Sequence, residues 1–243
     1  MEIVVHRGAN SSAPENTMSA ARACERLGVA YVEIDVRRSI DGVFYVLHDR
    51  TLDRTTNGHG AIAMRTSAYI DRLDAGSWFS AEFAGEAVPQ LCQVLDWAKG
   101  RMGIYLDVKC RGLRKIVRMI RNREMEKDVF FWFESNREAR RLRRLSTEAS
   151  LKMNSRDAGQ VRVHRETYGN DIVEYGPGSE SESIITVCHE LGIRCMATAF
   201  LESGISHADR EAAYNRILEL GYDLVNLDQP EPFIGFLQSR GLR

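Results

Sequence analysis

Short β-rich runs alternate with helical stretches almost to the C-terminus, and this rhythm constrains the fold more than any other feature of the sequence. Strands joined by crossover helices are expected to lie parallel in one sheet. Strands are predicted at 3–6, 31–35, 103–109, 129–134, 150–154, 171–175, 194–198 and 223–227. Helices are predicted near 17–27, 91–99, 113–125, 136–145, 159–167, 182–191 and 207–220. Eight such units predict an α/β fold of the (β/α)8 TIM-barrel type.

The length of the chain fits this interpretation. With 243 residues and 44% hydrophobic content, the chain can bury a full core, and the length suits one barrel as readily as two small domains. We take a single domain over residues 1–243 as the simpler prediction.

Residues 36–90 interrupt the rhythm because they are too many for a loop. Asp41-Gly42 is typical of a hairpin turn, here between 37–39 and 43–47. We therefore predict an insertion within the domain, between the second strand and the second helix, which forms a small cap at the barrel mouth.

Composition excludes several classes of function. A net charge of −1, from 33 basic and 34 acidic residues, argues against nucleic-acid binding and stable membrane association. The five cysteines show no CxxC spacing, so neither a disulfide framework nor a cysteine zinc site is expected. Without a signal-like N-terminus or an apolar run of membrane-spanning length, the expectation is a cytoplasmic protein.

Carboxylates cluster at the predicted ends of the second and third parallel strands. In a parallel barrel these ends open onto one face, and residues two apart on a strand point the same way. Glu33 and Asp35 therefore share a side, as do Asp107 and Lys109. Any one of these carboxylates alone is more simply explained by a salt bridge, but three at adjacent strand ends repel one another unless a cation neutralises them. We predict one divalent cation, Mg²⁺ or Ca²⁺, held by Glu33, Asp35 and Asp107.

Two histidines are predicted at the same mouth. His6 ends the first strand, and the hairpin that leaves Asp35 should return His48 to the rim. A pair of imidazoles can divide general base and general acid work. Arg7 and Lys109 add the positive charge that a phosphoryl transition state requires.

At this point the sequence resembles the glycerophosphodiester phosphodiesterases. The match is dense over about the first 110 residues and has a weaker echo near the C-terminus. The matching segments are 6–8 (HRG), 14–17 (PENT), 33–35 (EID), 48–56 (HDRTLDRTT), 57–60 (NGHG), 73–79 (LDAGSWF), 88–91 (VPQL), 106–109 (LDVK) and 226–230 (NLDQP).

The resemblance implies a (β/α)8 barrel with a family-type insertion, and it assigns roles to residues. It makes His6 and His48 the acid/base pair; Glu33, Asp35 and Asp107 the metal ligands; and Arg7 and Lys109 the phosphate-binding cations. Asp107 departs from the family's usual Glu, so this ligand is one methylene shorter. Glu15 either borders the site or anchors the loop that carries it.

Three further residues are expected to border the mouth by strand position alone: Glu134, Lys152 and Glu174. With a polar rim of this kind, a sugar or another hydroxylated alcohol is an alternative to glycerol in the substrate.

The leading hypothesis is metal-dependent hydrolysis of a glycerophosphodiester, or a similar small phosphodiester, to a phosphomonoester and an alcohol. The attacking oxygen is left open between water and a hydroxyl of the substrate. Alternatives are a phospholipase D-like reaction that yields a cyclic phosphate, and a non-catalytic phosphodiester-binding barrel. A glycosidase is the weakest alternative because the histidines and Lys109 would have no task. The substrate is the one partner predicted, and the sequence does not decide whether the chain forms a homo-oligomer.

Overall fold

The computed structural model describes residues 1–199 and 206–243. Within them the strands are β1 Glu2–Val5, β2 Tyr31–Arg38, β3 Phe44–Val46, β4 Gly103–Val108, β5 Val129–Trp132, β6 Ser150–Asn154, β7 Ile172–Glu174, β8 Arg194–Thr198 and β9 Leu224–Leu227. All except β3 are parallel, in the order β1-β9-β8-β7-β6-β5-β4-β2, and β2 pairs with β1 to close the sheet. The predicted barrel of eight parallel strands is confirmed.

Helices fill the intervals between the parallel strands. In the described residues they are α1 Met18–Arg26, α2 Ser67–Ile70, α3 Leu91–Ala98, α4 Leu113–Arg121, α5 Asn136–Leu145, α6 Ala158–Tyr168, α7 Ser181–Glu190, α8 His207–Leu220 and α9 Pro230–Ser239. Thr17 caps the start of α1, where its side chain accepts a hydrogen bond from the Ala20 amide, and Gly169 ends α6 in the left-handed conformation. Across 1–199 and 206–243, none of the helices combines the length and apolar character needed to cross a membrane.

The barrel interior is filled from below the mouth by one side chain from each of six strands. This cluster consists of Val4, Tyr105, Phe130, Ile172, Met196 and Leu224, and it is separate from the larger core between the strands and the helices. Because side chains alternate along each strand, the inward residues two positions further on lie at the mouth. The chemistry-bearing residues at the mouth thus lie above a largely apolar layer.

The insertion begins as a continuation of β2. The strand runs to Arg38, beyond its predicted end at residue 35, because β3 extends the ladder antiparallel and pairs Arg38 with Phe44. Gly42 makes the predicted turn at φ 91°. The insertion has a small hydrophobic cluster of its own, made of Tyr45, Leu47, Leu52, Ile62, Ile70, Ala75 and Val88.

Candidate active site

Three carboxylates meet at the mouth, where β2 lies beside β4. Asp35 and Asp107 are register partners on these neighbouring strands, and Glu33 precedes Asp35 on the same face. One oxygen of each residue lies within 4.8 Å of the other two. Glu33 is 2% exposed, Asp35 1% and Asp107 7%. Burial raises the pKa of Glu33 well above its usual value, and the charges of Asp35 and Asp107 add to the effect.

The loop after β1 holds two of these carboxylates in place. The Asn16 amide donates to Asp35 Oδ2 at 2.8 Å, and the Asp35 backbone amide donates back to Asn16 Oδ1 at 3.1 Å. The backbone amide of Arg7 donates to Glu33 Oε2 at 2.7 Å. Arg7 and Asn16 both have φ 57°, a strained conformation for residues other than glycine, which aims these donors at the carboxylates.

Lys109 lies beside the third carboxylate. Its Nζ is 2.6 Å from Asp107 Oδ2 and 3.2 Å from Asp35 Oδ1. Asp107 Oδ1 is buried and accepts no hydrogen bond from the described residues. Burial raises the pKa of Asp107, although Lys109 partly opposes this. An all-oxygen donor set with an excess of buried negative charge and an unsatisfied oxygen fits a hard divalent cation.

His6 is paired with a carboxylate from the far end of the chain. Its Nδ1 lies 2.7 Å from Asp228 Oδ1, and the two residues are 222 positions apart. Asn10 donates to the His6 carbonyl at 2.8 Å and to Asp228 Oδ1 at 3.3 Å. Burial alone would raise the pKa of Asp228, but the hydrogen bond with His6 brings it below the usual value.

His48 has an equivalent partner in the next residue. Its Nδ1 lies 2.7 Å from Asp49 Oδ1, and Arg54 Nε donates to Asp49 Oδ2 at 2.7 Å. Chiefly because of the bond from Arg54, the pKa of Asp49 is well below its usual range. Arg54 also donates to both oxygens of Glu15 at 2.7 and 2.8 Å, and Glu15 accepts from Arg7 at 3.1 Å. Glu15 therefore ties the loop after β1 to the insertion.

Arg37 connects His48 with β4. Its Nε and Nη2 donate to the His48 carbonyl at 3.0 and 2.6 Å, and its Nη1 donates to the Lys109 carbonyl at 3.2 Å. Burial lowers the pKa of Arg37, and the nearby charge of Arg50 lowers it further, whereas Asp35 opposes both. This residue fixes the position where the hairpin returns to the mouth.

Glu134 is exposed at the mouth, as its strand position predicts. It lines a cavity of about 660 Å³ together with Asp107, Lys109 and Trp132. The cavity volume is within the range of small-molecule binding sites.

Lys152 was expected to border the mouth, but it is buried below it. It is 1% exposed, its Nζ forms an ion pair with Glu174, and the same atom lies 5.2 Å from the ring centroid of Tyr105 and 4.9 Å from that of Trp132. The difference arises because Lys152 stands two residues before the end of β6, so it occupies a deeper layer.

Glu174 is partly exposed near the other side of the mouth, and both of its oxygens are occupied. Lys152 donates to Oε2, while Thr198 Oγ1 and Asn226 Nδ2 donate to Oε1 at 3.0 and 3.2 Å. Burial alone would raise the pKa of Glu174, but these partners bring it below its usual value.

Sequence reasoning assigned no role to several residues that organise the site. Most stood within the motif segments, where an acidic or amide side chain next to an assigned residue was the available signal. They are Asn16 in 14–17, Asp49 and Arg54 in 48–56, and Asp228 in 226–230, whereas Arg37 lies outside all of the segments.

Comparisons with known proteins relate the chain to one enzyme family. The sequence model of the "Glycerophosphoryl diester phosphodiesterase family" matches residues 6–167. The crystal structure of a glycerophosphodiester phosphodiesterase from Agrobacterium tumefaciens is similar with a TM-score of 0.88 and 34% identity, covering 97% of this chain and 99% of that chain.

Two curated relatives show how the likeness is distributed. A glycerophosphodiester phosphodiesterase from Caldanaerobacter subterraneus is 25% identical over 98% of both chains. Bacillus subtilis YhdW is 38% identical over 109 residues. This alignment spans 45% of this chain and 45% of that relative, less than half of each. Since the family match extends over more than half of the sequence and the solved relative over nearly all of it, the chain belongs to the glycerophosphoryl diester phosphodiesterase family.

Proposed function

We propose that the protein hydrolyses a glycerophosphodiester to a phosphomonoester and an alcohol, with a divalent cation held by Glu33, Asp35 and Asp107. One observation carries the proposal: a buried carboxylate triad with an unsatisfied oxygen lies at the same barrel mouth as two histidines, each paired with its own carboxylate. Family membership supports the same reaction class.

The cations of the mouth bind the phosphate. A divalent ion in the triad would draw electron density from the non-bridging phosphate oxygens when bound. Lys109, held between Asp35 and Asp107, presents its remaining N–H group to one of these oxygens. Arg7 is oriented by Glu15 and lies 3.7 Å from Asp35, so its guanidinium lies beside the bound phosphate.

The histidines move the protons. In each, a carboxylate 2.7 Å from Nδ1 favours the tautomer with the proton on that nitrogen, which places the basic lone pair on Nε2. One histidine removes the proton from the attacking water, and the other, in its protonated form, donates to the departing alkoxide. Asp228 and Asp49 stabilise the imidazolium that forms on either ring.

The test is turnover of glycerophosphocholine by His6→Ala and His48→Ala, each with Mg²⁺, Ca²⁺ or EDTA. We expect each variant to lose about 1,000-fold in kcat/KM, and EDTA to abolish wild-type turnover until metal is restored. The matched control is His59→Ala, since His59 also contacts an aspartate but its side chain is 80% exposed in the insertion. Near-normal turnover in His6→Ala or His48→Ala would remove the acid/base assignment.

Phosphorus NMR of the product tests the attacking group. An open phosphomonoester is the expected product of attack by water. A cyclic phosphate would instead identify a hydroxyl of the substrate as the nucleophile. The protein would then catalyse the phospholipase D-like reaction and not hydrolysis.

A further inference from the structure

A cleft beside the mouth, between the insertion and β4, has a strongly positive lining. Its volume is about 460 Å³. Five of its lining residues are cationic and none is acidic; the cations are Arg37, Arg38, Arg50, Lys109 and Arg111. The chain as a whole has a net charge of −1, so this concentration of charge is local.

The four arginines of this cationic cleft form no ion pairs among the described residues. Within 1–199 and 206–243, Arg38, Arg50 and Arg111 form no ion pair, and the Nε of Arg38 is buried without a hydrogen-bond partner. Arg37 donates only to the carbonyl oxygens of two residues, which leaves its charge in place. By contrast, Arg54 in the same insertion forms salt bridges with two carboxylates.

The cationic cleft is continuous with the mouth. Arg37, Arg50, Lys109 and Arg111 also line the 660 Å³ cavity that contains Asp107. Lys109 lies at the junction, 2.6 Å from Asp107. A substrate whose phosphate is bound at the carboxylate triad can therefore extend past Lys109 into the cleft.

We propose that the cationic cleft binds a second anionic group, a phosphomonoester or a carboxylate, carried by the alcohol part of the substrate. This inference rests on the proposed phosphodiesterase function and names the substrate class for it. Arginine guanidinium groups bind phosphate and carboxylate through paired hydrogen bonds, and an anion there meets no carboxylate of the lining. The mouth cavity, in contrast, also contains Glu134 and Glu138, which repel an anion on that side.

Two matched pairs of substrates test the proposal and separate the two kinds of anion. Glycerophosphoinositol 4-phosphate differs from glycerophosphoinositol by one phosphomonoester, and glycerophosphoserine differs from glycerophosphoethanolamine by one carboxylate. With Mg²⁺ or Ca²⁺ supplied, we expect glycerophosphoinositol 4-phosphate to have a kcat/KM about tenfold or more above that of glycerophosphoinositol. A preference in the carboxylate pair alone would assign the cleft to carboxylates, and no preference in either pair would overturn the inference.

Single substitutions locate the preference in the cleft. Arg38→Gln, Arg50→Gln and Arg111→Gln should each lower the ratio of the two kcat/KM values by roughly fivefold to tenfold. The control is Arg114→Gln, which removes the same charge from an exposed site on α4 outside the cleft and should leave the ratio unchanged. An unchanged ratio in all three cleft variants would overturn the proposal. The wild-type ratio should also fall as salt is raised, because ions screen the exposed charges of Arg50 and Arg111, and this readout requires no variant.

The outcomes distinguish this inference from the proposed function. If wild-type protein with metal cleaves none of the four substrates, the proposed function fails and the inference fails with it. If it cleaves them without preferring the member of each pair that has the additional anionic group, the proposed function stands and only the inference fails.

Discussion

Inside the barrel, two clusters of described residues each place a lysine against carboxylates, and they differ in how far the carboxylate charge is balanced. In the first, at the ends of β2 and β4, Lys109 meets Asp35 and Asp107, with Glu33 close by. In the second, between β6 and β7, Lys152 meets Glu174 alone.

The first cluster has three carboxylates for two cations, Lys109 and Arg7, and a buried oxygen of Asp107 without a donor. In the second cluster, both oxygens of Glu174 are occupied. A pair with balanced charge and a full set of donors stabilises the fold. An excess of buried carboxylate requires a ligand to balance it. The excess of buried carboxylate charge, rather than the residue types, separates the candidate site from its structural counterpart.

The largest expected effect tests this separation through activity. Asp35→Asn removes a charge from the first cluster and should lower kcat/KM by about 1,000-fold, because the cation site and the position of Lys109 are both lost. Glu174→Gln removes a charge from the second and should cost less than about tenfold. Both are measured with saturating Mg²⁺ or Ca²⁺, and equal losses would abolish the distinction.

The second prediction concerns stability. Lys152→Met leaves the buried carboxylate of Glu174 without its cation and should lower the free energy of unfolding by about 3 kcal/mol. The double variant Lys152→Met/Glu174→Gln should recover part of this loss, since no uncompensated charge remains. Urea unfolding measures both, with the exposed Lys127→Met as control. A loss of less than 0.5 kcal/mol in the single variant, on the order of a surface substitution, would contradict the structural role.

Metal should stabilise the first cluster, and the effect should depend on pH. At a concentration about 100 times the dissociation constant, Mg²⁺ or Ca²⁺ should add about 2.7 kcal/mol. Without metal, the pKa of Glu33 in the folded protein lies above the ordinary 4.5, so the folded state loses stability as pH rises from that value. The cation binds the deprotonated form and reverses this cost.

The metal-induced rise in Tm should therefore be larger at pH 8 than at pH 5, as thermal unfolding can measure. Asp35→Asn should abolish the rise, and Glu174→Gln should retain it. A rise that is independent of pH would place the bound ion elsewhere.

The smallest predicted effect concerns the carboxylate that pairs with His6 beside the first cluster. Asp228 follows β9, which pairs with β1, and it therefore contacts His6 at the end of β1. Asp228→Asn should lower kcat by roughly 10- to 100-fold with little change in KM, because it disturbs the orientation of the histidine and spares the phosphate-binding cations. Asp96→Asn, which breaks a surface pair with Arg123, is the control. A change confined to KM would argue that Asp228 contacts the substrate instead.

Much of the first cluster could be predicted from the sequence because its logic is local. Alternation along a strand places Glu33 with Asp35, and motif order places them beside Asp107; the register of β2 and β4 agrees. The Asp41-Gly42 turn likewise predicts the hairpin that returns His48. These features need only strand periodicity and turn chemistry.

The remaining features depend on information that is not local. The depth of Lys152 follows from where β6 ends relative to its neighbours, and the stagger of the barrel sets that level. The contact between His6 and Asp228 exists only because β1 pairs with β9. No periodicity within either segment specifies that pairing.

That last contact makes the chemistry dependent on the completion of folding. A growing chain already contains both histidines and the carboxylate triad when less than half of it has been synthesised, but Asp228 comes 222 positions after His6. Long-range strand pairing of this kind is slow to form, since the loop-closure entropy of the intervening chain is lost before the contact stabilises the fold. Full turnover would thus begin only after the last parallel strand has docked, and catalytic rate during refolding would report the final closure of the barrel.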